Sequence, residues 1–233
     1  MKAIPTFILA LFLINFALPA QVKKTITIKA GTRIIDYFPF NERYRYTEFL
    51  DGKVLFKDST FFAAKLNYNI LLGEMQYIPK KDTFAFANPK EIDYVEIGQD
   101  TFYYDNGYLE VLYGHDPAIM TVKQYIKFVD FTKEAGYGMQ SSTGGIDSYS
   151  SMFGASGTTV QKLNLKEDIV LTRNTEYYLG NNKNGFLLYR KKTLLKSFPQ
   201  YKTTIESYLK ENHINFKAKD DLLKLTVFLD GII

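Results

Sequence analysis

Cysteine is absent from the 233 residues. Its absence excludes disulfides, thiolate-bound metals, a cysteine nucleophile and the lipidated cysteine that anchors bacterial lipoproteins. Tryptophan is absent as well, and histidine occurs only at His115 and His213. No acidic residue stands at a recognised ligand spacing from either histidine, so the sequence indicates no metal site and no cofactor. The glycine loop of a nucleotide site is missing, because Gly136-Tyr137-Gly138 is followed by neither a third glycine nor a helical pattern. A nucleophile elbow is missing too, since Gly154-Ala155-Ser156-Gly157 has the wrong spacing. A strong charge of one sign is also lacking. The net charge is +4, and without a basic stripe this excludes nucleic acid as the expected partner. The small basic excess lies between Gln161 and the end, with 13 basic and 8 acidic side chains. It suits an acidic lipid surface or a cell-envelope polymer better.

One apolar run stands out, from Ile4 to Leu18, broken only by Pro5, Thr6 and Asn15. Lys2 precedes it and Pro19-Ala20-Gln21 follows, the charged start, apolar middle and small-residue exit of a secretory signal peptide. The run falls short of the ~20 residues that span a bilayer, and no later segment is apolar enough to do so. Residues 1–20 are therefore expected to be a signal peptide cleaved after Ala20. Leu18, three positions before the cut, is larger than the alanine usually found there. The expected location is extracytoplasmic: periplasm, cell surface or secreted. Residues 21–233 are long enough to bury a core as a single β-rich domain without staples.

From Thr25 to about Tyr189 short β-branched and aromatic runs alternate with turn residues. Phe62, Ala64, Leu66 and Tyr68 alternate with Ala63, Lys65, Asn67 and Asn69, which places the apolar set on one face of a strand. Asp51-Gly52, Lys57-Asp58-Ser59, Gly73-Glu74, Lys80-Lys81-Asp82 and Asn88-Pro89 punctuate the pattern like the turns of an antiparallel meander. Asn106-Gly107 predicts a tight hairpin turn between Phe102 and Val111. A second hairpin is predicted across 181–185. Residues 119–131 read as one long strand whose lysine-bearing face, Lys123 to Val129, meets water. Residues 136–159 are rich in glycine and serine and read as a flexible loop. Residues 198–230 carry two amphipathic helices, the first opening at Pro199 with Tyr201, Ile205, Tyr208 and Leu209 on one stripe. The second has Leu222, Leu225, Thr226 and Leu229, with Asp220-Asp221 at its start and Gly231 as its stop. The fold class is mainly β, α+β by count: an antiparallel β-meander sheet or partly closed barrel with two C-terminal helices.

Ser207-Tyr208-Leu209-Lys210 matches the Ser-x-x-Lys of penicillin-recognising enzymes, but the accompanying Ser-Asp-Asn and Lys-Thr-Gly motifs are missing, so it reads as a solvated helix face. Asp93, Glu96 and Asp100, and then Asp105 and Glu110, invite comparison with the paired carboxylates of glycosidases, whose separation a sequence does not show. Eighteen tyrosines and nineteen phenylalanines exceed what a core of this size must hide. Tyrosine gives flat contact area at small entropic cost. Tyr37, Tyr44, Tyr46, Tyr103, Tyr104 and Tyr108 lie near turns, and Tyr137, Tyr149 and Phe153 punctuate the serine/glycine loop as possible partner contacts.

Phe56-Lys57-Asp58, the run from Leu66 to Ile78, Asp82-Thr83, Gly136-Tyr137-Gly138 and Asp220-Asp221-Leu222-Leu223 together resemble a group of uncharacterised secreted or periplasmic proteins of Gram-negative bacteria. The resemblance implies a periplasmic or cell-surface address and lends no activity. The expected function is an exported cell-envelope or secreted binding or structural module without a catalytic site. Its expected partner is an envelope protein or glycan, and no transmembrane segment remains after signal removal. The alternatives are an envelope glycan or peptide hydrolase and a small-ligand or lipid carrier. The sequence sets no oligomeric state.

Overall fold

The computed structural model describes residues 25–135, 139–142 and 167–233. The expected signal peptide lies outside the described residues, as does most of the glycine- and serine-rich stretch. Twelve strands form one antiparallel sheet among the described residues. They are β1 (Thr25–Ile28), β2 (Leu50–Phe56), β3 (Phe61–Asn69), β4 (Glu74–Ile78), β5 (Phe84–Ala85), β6 (Ile92–Ile97), β7 (Asp100–Tyr104), β8 (Tyr108–Tyr113), β9 (Ile119–Ala135), β10 (Met139–Ser142), β11 (Asp168–Asn181) and β12 (Gly185–Leu188). Their order is β1-β11-β9-β8-β7-β6-β2-β3-β4-β5, with β10 added to β9 and β12 to β11. Two meanders, β2 to β5 and β6 to β9, are thus joined through the pairing of β2 with β6. The sheet does not close into a barrel.

The turns follow their residues. Asn106 and Gly107 between β7 and β8 have φ of 50° and 126°, the left-handed region that this pair tolerates. The hairpin of β11 and β12 pairs Asn181 with Gly185, as predicted. Asp51-Gly52 is a different case, for it lies inside β2. A Cβ on Gly52 would sit 2.5 Å from the Glu96 carbonyl and 2.7 Å from Leu66 Cδ1, so this glycine marks a close strand approach instead of a turn. The serine/glycine stretch also needs correcting, because Met139–Ser142 forms β10 against Thr132 to Ala135. That strand extends the long β9 hairpin beyond the predicted end at residue 131.

Five helices accompany the sheet among the described residues: α1 (Ile34–Tyr37), α2 (Phe40–Arg43), α3 (Lys191–Ser197), α4 (Lys202–Glu211) and α5 (Lys219–Asp230). The expected C-terminal pair is α4 and α5, with Pro199 opening a 3-10 turn that feeds α4. The sequence pattern misses α3, a short helix whose first turn is held by Thr193 Oγ1, which accepts from Arg190 N at 3.2 Å and donates to the Leu188 carbonyl. It also misses the single turns α1 and α2 within a stretch of strand-like composition.

Two main cores hold the sheet, beside a small third cluster of Leu109, Ile119 and Phe186. On its inner face Ile28, Ile34, Phe38, Val54, Leu66, Tyr68, Met75, Ile92, Val95, Phe102, Ile126, Phe128, Ile169 and Leu171 pack together. These residues come from both ends of the strand order, so the sheet curls over its own face. Where the curl brings β3 to β9, Tyr68 Oη donates to the Gln124 carbonyl at 3.0 Å. The second core lies under the helices, where Leu194, Phe198, Ile205, Leu209, Leu222, Leu225 and Leu229 meet Met120 and Leu179 of β9 and β11. The helices cannot persist alone at this length and depend on that face. Leu225 is fully buried, whereas Val227 on the other side of α5 is 51% exposed. Leu225→Ala is therefore expected to lower stability by about 2–5 kcal/mol, with Val227→Ala within about 0.5 kcal/mol of the parent, both read from urea unfolding.

Candidate functional site

The alternation read along β3 holds as far as Leu66 and then fails, because Asn67 and Asn69 are buried rather than solvated. The segment that follows α2 crosses their face. Asn67 Nδ2 donates to the Tyr46 and Glu48 carbonyls at 3.0 and 2.9 Å, and its Oδ1 accepts from Tyr46 N at 3.1 Å. Asn69 Oδ1 accepts from Leu72 N at 3.0 Å, while its amide and the Tyr44 hydroxyl both donate to Gln76 Oε1. Each buried amide is satisfied, as burial of a polar group requires.

This strap delivers Arg45 and Tyr46 to two of the carboxylates singled out in the sequence. Arg45 Nε and Nη2 donate to Glu110 Oε2 and Oε1, each at 2.8 Å, a bidentate pair. Tyr46 Oη donates to Asp100 Oδ2 at 2.7 Å, and the Arg45 guanidinium lies 5.1 Å from the Tyr46 ring centre. Asp100 and Glu110 thus belong to one cluster, yet both are occupied by fixed partners. The remaining carboxylates are structural or exposed. Asp93 accepts from Asn182, Asp105 Oδ2 accepts from Phe186 N at 2.9 Å, and Glu96 faces solvent. Among the described residues, these carboxylates are not gathered on one open cleft in the manner of a glycosidase pair.

The other sequence candidates are scattered. His115 Nε2 lies 2.8 Å from Asp230 Oδ1 and ties the β8–β9 connection to the end of α5. His213 is exposed beyond α4, and Ser207 and Lys210 face water on that helix. Tyr137, Tyr149 and Phe153 lie outside the described residues. Of the turn tyrosines, Tyr44 and Tyr108 are buried, Tyr46, Tyr103 and Tyr104 are half-buried, and Tyr37 is exposed. Among the described residues no three His, Asp or Glu side chains come together as a metal site, and no helix is long and apolar enough to cross a membrane.

One cleft opens between β9, beyond its pairing with β8, and the β7–β8 and β3–β4 turns. Ile70, Leu71 and Leu72 of the β3–β4 turn form its apolar floor, with Ile126 and Phe128. Tyr104, Asn106 and Gly107 form one rim, and Lys123, Tyr125 and Lys127 the other, around a volume of about 410 Å³. That lies within the range of small-molecule and side-chain pockets. The lysine-bearing face of β9 was expected to meet water throughout. Lys127 does so, but Lys123 and Tyr125 are half-buried. Lys123 Nζ donates to the Asn106 carbonyl, and the absent side chain of Gly107 makes room, since a Cβ there would lie 2.7 Å from Lys123 Cε. Burial lowers the affinity of the Lys123 amine for its proton, opposed by Glu176 and Asp105 nearby. The sequence carries no mark of this cleft, because its walls come from three separate segments. A second, smaller cavity of about 220 Å³ lies between the β11–β12 hairpin and Phe198.

Comparison of the chain with protein-family models, with curated proteins and with solved structures gives no match. The functional reading therefore rests on this geometry and on the sequence.

Two outcomes follow. Arg45→Met would strand the buried Glu110 carboxylate and is expected to lower stability by about 3 kcal/mol, with Arg45→Met/Glu110→Leu recovering most of it; urea midpoints decide this. Burial raises the pKa of Tyr46, Tyr68, Tyr108, Tyr178 and Tyr189, with hydrogen bonds to Asp100 and Glu176 adding to it at Tyr46 and Tyr178. In the unfolded chain tyrosine ionises near pH ~10, so the stability these residues contribute is complete below that pH and is lost as pH rises above it. The urea midpoint should hold flat to pH ~9 and then fall. Tyrosinate absorbance from these five should appear together with unfolding and not ahead of it.

Proposed function

We propose that this protein is an exported, non-catalytic binding module of the cell envelope, and that it meets its partner through the cleft between β9 and the β7–β8 turn. The single observation that carries the reading is the contrast between the two polar regions. The carboxylates and the arginine that would perform acid–base chemistry are locked to one another beneath the strap, whereas the open cleft presents apolar, tyrosine and lysine surface. Such a lining favours holding a partner over transforming it. The signal-like N-terminus supports export, and the lack of cysteine suits a domain held by its own two cores in any redox compartment. The hydrolase alternative lacks a pair of converging titratable groups among the described residues. The carrier alternative calls for an enclosed apolar cavity inside a curved sheet, and the inner face of this curled sheet is filled by its own core side chains.

The test uses protein exported from a Gram-negative host. Its intact mass should correspond to a chain beginning at Gln21. A Lys127→Glu variant should melt like the parent, because this side chain is exposed at the rim of the cleft. It should lose about tenfold in capture of partners from envelope extract. Equal capture by parent and variant would remove the cleft from the account, and an intact Met1 on cytosolic material would remove export.

A further inference from the structure

The geometry points to the edge of β9 as a docking strand, which takes an extended, acidic peptide segment of a partner protein by strand addition. This rests on the binding reading above and states how that site binds. The first observation is the pairing. On the side of β9 away from β11, Val122 is opposite Glu110 of β8 and Thr132 is opposite Ser142 of β10, and no described strand pairs between them. The Gln124 carbonyl accepts the Tyr68 hydroxyl, so the backbone groups of Gln124 turn away from β11. One strand repeat further on, the N–H and C=O of Ile126 turn the same way. Unpaired groups at a strand edge form a template for another chain.

The second observation is that side chains of both faces of β9 line one cleft. Lys123, Tyr125 and Lys127 point to one face of the strand and Ile126 to the other. A cleft bounded by both sets opens on the edge itself, where an occupant meets backbone. The β3–β4 turn supplies an apolar floor for one inward side chain, through Leu71 and Leu72. From Lys123 to Lys127 the edge accommodates about five extended residues at ~3.4 Å each.

The third observation is charge. Two lysines and no carboxylate line the cleft among the described residues. Lys127 is exposed and makes no ion pair with a described residue, and Lys123 is bound to a carbonyl, with Glu176 and Asp105 outside the lining. Charge complementarity therefore selects an acidic segment. Main-chain hydrogen bonds supply affinity, and alternate side chains supply specificity.

The experiment pans the full chain against a library of short linear peptides and labels the best binder for anisotropy. Selected peptides should be acidic, and N-methylation of alternate backbone nitrogens should weaken binding about tenfold. Lys127→Glu should weaken it similarly, with an unchanged thermal melt. Amide exchange supplies the second readout: Ile126 N–H should exchange faster than Tyr125 N–H in the free protein and slow on binding. Retained affinity after N-methylation, unchanged exchange of Ile126 at saturation, or a panning that yields no binder would each overturn strand addition. If a soluble glycan fraction then protects the cleft rim, the binding reading survives without it. If no envelope fraction alters exchange at Lys123 to Lys127, both fail.

Discussion

The pairing of β9 with β11, from Ile119–Gly180 to Thr132–Asp168, is the interaction on which the molecule depends. Both strands contribute to both cores. Ile126, Phe128, Ile169 and Leu171 face the inner cluster, whereas Met120 and Leu179 carry the helices. The ladder thereby makes one cooperative body of a curled sheet and a helical layer that would each be marginal alone. With no disulfide available, burial at the two ends of this ladder replaces covalent closure. The irregularity between Val170 and Leu171 falls between the pairs that serve the inner core and lets the long strands bend with the curl.

Much of the scaffold was legible because period and turn chemistry are local. The alternation from Val122 to Val129, the positive-φ pair Asn106-Gly107 and the stripe of Leu222, Leu225 and Leu229 each report a structure within a few residues. What was not legible depends on what the curl brings overhead. Asn67 and Asn69 occupy the positions of a solvated face and become buried because residues 44–48 cross them. Gly52 has the composition of a turn and serves as a contact. Met139–Ser142 is polar enough to pass for a loop, and its strand state comes from the β9 edge beside it. The candidate site was the least legible part, since Arg45, Glu110, Asp100 and the cleft residues come from strands that the sequence does not order. The loop aromatics Tyr137, Tyr149 and Phe153 lie outside the described residues, while the aromatics of the cleft rim, Tyr104 and Tyr125, were read as a turn residue and part of a wet face.

The aromatic surplus divides into distinct uses. Tyr68, Phe102 and Tyr108 pack within the inner core. Phe56, Phe62, Tyr77 and Phe86 form a half-covered lip where the curl opens. The deep Tyr68 and Tyr189 and the half-buried Tyr178 and Tyr46 keep their hydroxyls on the Gln124 carbonyl, Thr226, Glu176 and Asp100 respectively. Their polar tips thus act as fixed spacers between the oily interior and the backbone. The price is a set of phenols unable to ionise without the fold giving way.

At the far margin of the sheet, β5 is two residues long, and Lys80-Lys81-Asp82 precedes it. So brief a terminal strand offers an approaching molecule little main chain to zip against, and the charges ahead of it repel a second copy carrying the same lysines. This margin therefore gives a second copy no ladder longer than two residues to build on.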